Sequence, residues 1–289
     1  MVNNQIDWNE VWKELMSKHI EMNGGMDCAS YYDDEETAKN YWNMGKEESD
    51  AIEYIVRNMQ ISSTSRVLDI GAGPGNLAIP FSKKVAHVTA VEPSAAMAGV
   101  LRENIMEHGI ENIDCVQKRW EEVDISSDLD SPYDLVMASF SLGMTDVEAA
   151  IQKMIAFSSK YVYLAWFADE PSWERHLREL SPRLYGKVSH PMPRCDVLFN
   201  LLYQMGIFPN VRVFSFDMFR RFPSFEEAVD YFAGQFKVKT DDQRSALAEA
   251  LPQILEGYED SWALRIYSLN MMIWWQRGFE SRNFQLSDK

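Results

Sequence analysis

Residues 67–77 read VLDIGAGPGNL, an apolar run that breaks into alternating glycines. Gly71 and Gly73 permit a tight turn in which the backbone can touch a ligand, because no Cβ stands in the way. Glu92 closes a second apolar run, VAHVTAVE over 85–92. A carboxylate there can accept hydrogen bonds from both hydroxyls of a ribose. Glycines followed by such an acid point to a nucleoside-like ligand. Dinucleotide sites share that logic, but they read GxGxxG and seat a pyrophosphate on a helix N-terminus. Here the third glycine comes one residue early, and Asp69 precedes Gly71 by two. That spacing disfavours a nicotinamide oxidoreductase.

The elements that must position these residues alternate along the chain. Ala51, Ile52, Ile55, Val56 and Met59 share a helical face ahead of the strand Arg66–Ile70. The strand Val85–Glu92 is followed by Pro93-Ser94 and a helix carrying Met97, Val100, Leu101 and Ile105, closed by Gly109. Further strands are read over Asn112–Gln117, Tyr133–Phe140 and Tyr161–Phe167, with a capping box of Thr145 and Glu148 opening the helix between the last two. Strands apolar on both faces and separated by helices predict an α/β fold with a doubly wound parallel sheet. Beyond residue 168 the pattern changes to a polar, proline-rich stretch (170–194), a helix (197–205), a strand (211–217), a largely helical segment (224–255) and a last strand (263–274).

On these residues the sequence resembles the class I S-adenosylmethionine-dependent methyltransferases, in their small-molecule, UbiE/type 11-like branch. The resemblance covers about residues 50–168 and rests on VLDIGAGPGN, on AVEPS around Glu92, on VQKRWEEVD after the third strand and on YDLVMASFSL. It implies a Rossmann-like, seven-stranded, mostly parallel sheet with S-adenosylmethionine as cofactor and S-adenosylhomocysteine as product. It assigns the amino-acid part of the cofactor to Asp69, Gly71 and Gly73, with Ala72 and Asn76 in the same turn. Glu92 takes the ribose, Pro93 lies beside it, and Met97 packs on the adenine. The family's acidic residue after the third strand is replaced by Arg119-Trp120-Glu121, leaving Glu121 or groups near Trp120 for the base. Ser139 and Phe140 fall beside the sulfonium and the acceptor. Asn-Pro-Pro-Tyr is absent there, which argues against methylation of nucleobase amines.

Three parts follow from this reading: an N-terminal helical lid (1–48), the cofactor-binding core (49–168), and the rest of the sheet (169–289) with helical cap insertions at 169–194 and 218–262. Tyr31, Tyr32 and Tyr41 are expected to close over the donor, with Tyr31 and Trp166 toward the acceptor. His190 and Tyr32 are the candidates for a catalytic base, needed only when the acceptor arrives protonated. His87 and His108 read as structural, and Cys115 as a core residue of its strand. No metal is expected. The expected activity is in-line methyl transfer to a small organic acceptor in a capped cavity. The alternative is a non-catalytic protein that binds S-adenosylmethionine or S-adenosylhomocysteine as a sensor or partner subunit.

Composition sets the outer bounds. The chain has 289 residues, of which 46% are hydrophobic and 25% charged, an ordinary globular mixture that excludes disorder and collagen-like structure. Its formal net charge of −16 disfavours nucleic acid and anionic membranes as partners. Three scattered cysteines fit neither a disulfide framework nor a CxxC metal knuckle. The polar N-terminus does not read as a secretory leader, and the longest apolar run, 161–168, is far short of the roughly 20 residues that span a bilayer. A soluble, cytoplasmic protein is expected, as monomer or homodimer.

Overall fold

The structure, a computed structural model, describes residues 6–22, 25–47, 49–124, 126–130, 132–186, 190–258 and 261–278. Among the described residues four helices come first: α1 (Trp8–Met22), α2 (Cys28–Tyr31), α3 (Glu35–Glu47) and α4 (Ser49–Arg57). Helix α1 buries Trp12 and Met16, and α2 starts on Asp27, whose carboxylate accepts the Ser30 N–H.

The parallel core follows. Strands β1 (Arg66–Ile70) and β2 (His87–Val91) each bury four residues in succession, as strands covered on both faces must. Between them lies α5 (Ala78–Ser82). Helix α6 (Ala95–Glu107) opens where the Ser94 hydroxyl accepts the Met97 N–H, and the chain leaves it through Gly109 at φ +60°. Strand β3 (Ile113–Val116), β4 (Tyr133–Ser139), α7 (Val147–Phe157) and β5 (Ser158–Phe167) complete the alternation. Strand β5 starts three residues earlier than its apolar run suggests, because Ser158 pairs with Tyr133.

The start of α7 corrects one expectation. Asp146, rather than Thr145, is the N-cap, and its carboxylate accepts the Ala149 N–H at 3.1 Å. Asn9 and Lys13 of α1 hold that carboxylate in place, so a contact from far along the chain overrides the local box. Glu148 accepts from Gln152 instead.

The remaining elements are α8 (Ser172–Tyr185), α9 (Cys195–Gln204), β6 (Asn210–Phe222), α10 (Phe225–Gln235), α11 (Asp241–Ala250), β7 (Leu255–Tyr258) and β8 (Ser261–Gln276). The sheet order is β3-β2-β1-β4-β5-β8-β6, with β7 paired to β8, and β1 to β5 run parallel. The eighth strand, beyond the seven expected, is β7, antiparallel to β8 with Leu255 opposite Leu264. It buries one of its four residues, which leaves no alternation to read. Strand β1 lies between β2 and β4, so its carboxyl end opens at the point where the winding reverses, where open α/β sheets hold their ligands.

The chain divides into two compact units. The first holds the described residues up to Trp166 together with Asp196–Arg212 and the chain from Met272. Its core includes Val67, Leu68, Val88, Leu135, Ile151 and Leu164. The second, Phe167–Cys195 with Val213–Met271, packs Leu180, Leu184, Phe232, Leu247, Leu251 and Ile266 into its own core. Its α11 begins in a true capping box of Thr240 and Gln243. Among the described residues no helix is long and apolar enough to cross a membrane.

Candidate active site

The turn after β1 is built as its glycines require. Gly71 and Gly73 sit at φ +70° and +57°, a region that side chains disfavour by about 1 to 2 kcal/mol. The N–H groups of Gly71 and Ala72 both donate to the Val91 carbonyl, at 2.7 and 3.1 Å, which ties the turn to the end of β2. A Cβ on Gly71 would stand 2.3 Å from the Cβ of Ser141. Ser141 in turn donates its hydroxyl to the Ile70 carbonyl at 2.5 Å. The loops after β1 and β4 are therefore locked together.

Glu92 joins the second loop to the first. Its Oε2 accepts the Gly73 N–H and its Oε1 the Ser94 N–H, both at 2.8 Å. Burial pushes its carboxyl above the ordinary range, the two N–H groups pull it back, and Asp33 pushes further in the same direction as burial. Each carboxylate oxygen keeps a second lone pair, so two vicinal hydroxyls can still be accepted. Asp69 lies in β1 beside Ala90 of β2 and Met137 of β4. It is 2% exposed, its Oδ2 has no hydrogen-bond partner, and burial, then the Glu92 charge, raises its carboxyl to about 7. The Asn76 Oδ1 is buried and unpartnered as well.

At the end of β4, Ser139 and Phe140 are half-buried. Phe140 holds φ +53°, rare for a bulky residue and of the kind that gathers at functional sites. Its N–H donates to the Ala165 carbonyl of β5 at 2.9 Å.

The N-terminal segment lies over four of these loops. Tyr41 comes within contact of Gly73, and Gly45 rests on the Asn76 side chain. Tyr32 O and Asp33 Oδ1 both accept from the Ser94 hydroxyl, and Asp33 also takes the Ala96 N–H. Asp27 pairs with Arg119 at 2.5 Å after β3, and the Cys28 sulfur faces Gly143 after β4. Tyr31, Tyr32 and Tyr41 form a chain of edge-on rings with centroids 5.0 and 5.4 Å apart. Of the expected residues, Gly73, Asn76, Glu92, Tyr32 and Tyr41 are brought together around this turn, and Ser94, Asp33, Ser141, Asp27 and Arg119 join them unforeseen. Of these, Ser94 and Asp27 carry a local signal, as N-caps of α6 and α2.

The other residues singled out in the sequence lie as follows. Met97 packs with Ala38 and Val100 beneath α3. Trp120 is a core residue: its indole N–H donates to the Ala150 carbonyl at 3.1 Å, its ring packs on Phe157, and the Lys153 ammonium lies over its face. Lys153 also donates to the carbonyls of Trp120 and Glu121, while the Glu121 side chain is exposed. Trp166 is buried with its ring centroid 5.9 Å from that of Trp12, so it fills core under α1. Pro93 is half-buried between Glu92 and Ser94, and His190 is an exposed loop residue of the second unit. His108 caps the end of α6.

Comparison with known proteins agrees with this geometry. Residues 67–159, about a third of the chain, match the family described as a methyltransferase domain. The chain is 28% identical over 162 residues to an uncharacterised protein of Haemophilus influenzae, covering 54% of this chain and 56% of that protein. It is 29% identical over 148 residues to the ubiquinone/menaquinone biosynthesis C-methyltransferase UbiE of Xylella fastidiosa, covering 45% and 56%. The chain thus spans about half the length of these relatives. Among solved structures, YcgJ of Bacillus subtilis superposes with a TM-score of 0.53 at 16% identity, covering 78% of this chain and 98% of that one. The plantazolicin methyltransferase BamL superposes with 0.50 at 15%, covering 92% and 99%. Such likenesses concern the fold. Residues 67–159 thus match a methyltransferase domain, on a fold shared with these solved structures.

Proposed function

We propose that the protein binds S-adenosylmethionine at the carboxyl end of β1 and transfers its methyl group to a small organic acceptor, leaving S-adenosylhomocysteine. One observation carries the reading: Glu92 holds the Gly73 N–H while keeping lone pairs free, so one carboxylate joins a ribose site to the glycine turn. The ligand-facing groups fit the cofactor. Asp69 Oδ2 and Asn76 Oδ1 are buried oxygens without donors, complementary to an α-ammonium group, and Gly73, where a Cβ would meet nothing nearer than the Tyr41 ring at 3.9 Å, leaves room for its amino-acid part.

The cofactor supplies an electrophilic methyl on a sulfonium. When bound, it would offer that methyl for in-line displacement by the acceptor's lone pair with the electron pair left on sulfur, so the chain's own task is alignment and exclusion of water. Phe140 and Ser139 bound the space beside the donor. The segment carrying Tyr31, Tyr32 and Tyr41 serves as the lid, supported by its contacts with four loops. The covered edge and the net charge of −16 favour a small acceptor over nucleic acid.

Calorimetric titration of the full chain with S-adenosylmethionine, S-adenosylhomocysteine and NAD tests this. Both sulfur nucleosides are expected to bind in the micromolar range and NAD not to bind. Glu92→Ala is expected to weaken them about tenfold or more, 1.4 kcal/mol. Absence of binding removes the proposal.

A further inference from the structure

Asp69 is an acid buried without a counter-charge. It lies 2% exposed in β1, with Oδ2 lacking any donor. The neighbouring strands set Ala90 and Met137 beside it, neither able to pair with it. The charged group that acts on it is a second buried carboxylate, Glu92, which itself feels Asp33 from the N-terminal segment. Tyr41, from α3, approaches the same turn at Gly73. An ionised carboxylate buried without a partner is strongly disfavoured, and such a group takes a proton instead. A cation delivered by the ligand removes that reason.

We infer that Asp69 carries a proton in the ligand-free protein and surrenders it when the cofactor's α-ammonium group arrives, so that binding exchanges one proton for one cation. This rests on the proposed binding of S-adenosylmethionine and adds a regulation of that site. The exchange balances: a carboxylic acid and an ammonium ion become a carboxylate–ammonium pair, and one proton passes to solvent. S-adenosylhomocysteine, which keeps the ammonium but has no sulfonium charge, must displace the proton equally. 5′-Methylthioadenosine, which lacks the whole amino-acid part, must not.

The test is calorimetry of the full chain at pH 6 in buffers of different ionisation enthalpy. S-adenosylmethionine and S-adenosylhomocysteine are each expected to release close to one proton, and 5′-methylthioadenosine none. Between pH 5 and 6.5, below the titration of the ligand's own amine at about 7.7 to 8.0, affinity for S-adenosylmethionine should rise about tenfold per unit. Asp69→Asn should abolish both effects while still binding 5′-methylthioadenosine, which shows that the variant is folded. Binding of S-adenosylmethionine without proton release overturns the inference alone, as does release by S-adenosylmethionine but not S-adenosylhomocysteine, or release that survives in Asp69→Asn. Failure of all three ligands to bind overturns the functional proposal as well.

Discussion

Gly71 and Ser141 stand so close that a Cβ on the glycine would lie 2.3 Å from that of the serine, while the serine hydroxyl reaches the Ile70 carbonyl next to it. The turn that bears the ligand after β1 and the loop that follows β4 are thereby one rigid piece. Alanine at position 71 meets both a left-handed backbone and this contact, which together cost roughly 2 to 5 kcal/mol. Thermal unfolding of Gly71→Ala should show a clear fall in Tm, with S-adenosylmethionine affinity reduced at least tenfold. Adding Ser141→Gly should recover part of the stability, since only the clash is relieved. A Gly71→Ala protein with wild-type Tm refutes the contact.

Trp120 separates packing from ligand contact. Its indole bond to Ala150 O is internal, so Trp120→Phe removes a buried hydrogen bond and should destabilise the protein by about 0.5 to 1.5 kcal/mol. Affinity for S-adenosylmethionine should stay within about twofold. A tenfold loss of affinity at unchanged stability would place the indole on the base after all.

Burial and the Glu92 charge raise the Asp69 carboxyl to about 7 from an ordinary 3.8. Folding therefore binds a proton in the window between those values, and the ligand-free protein loses stability as pH rises from about 4 to 7, by up to about 1.4 kcal/mol per unit. Denaturant unfolding of wild type and Asp69→Asn across that range checks it. The variant should lack this part of the slope and gain relative to wild type above pH 7.

Asp27 behaves in the opposite sense. Burial pushes its carboxyl up, but the Arg119 hydrogen bond, the Ser30 N–H and hydroxyl and the Arg119 charge outweigh burial and bring it down to about 2. Its pairing is present above the ordinary carboxylate range and is lost only as pH falls through about 2. At pH 7, Arg119→Ala should cost under about 1 kcal/mol, as partly exposed pairs do. Hydrogen exchange over 28–41 should nevertheless quicken, because one of the ties holding this segment is cut. Unchanged exchange there would show that Ser94 and Asn76 suffice.

Most of the core was legible because its cause is local. Runs such as VLDI and VTAV are apolar on both faces, and only a strand covered on both sides uses that pattern. The glycines at 71 and 73 and the acid at 92 likewise announce their roles by type and spacing. What the sequence could not determine depends on partners far along the chain. Asp146 displaces Thr145 as a cap because Asn9 and Lys13 reach it. Trp120 and Trp166 carry no mark that tells a core indole from a ligand platform, and Phe157 and Trp12 decide it. Strand β7 exists because β8 offers it an edge, not because LEGY favours extension. Sequence by itself determined the alternating α/β core and the glycine–acid pair, since periodicity and residue type act over a few neighbours. Tertiary structure alone decided which loops are locked together and which buried oxygens are left without donors, since these follow from contacts between segments that folding brings together.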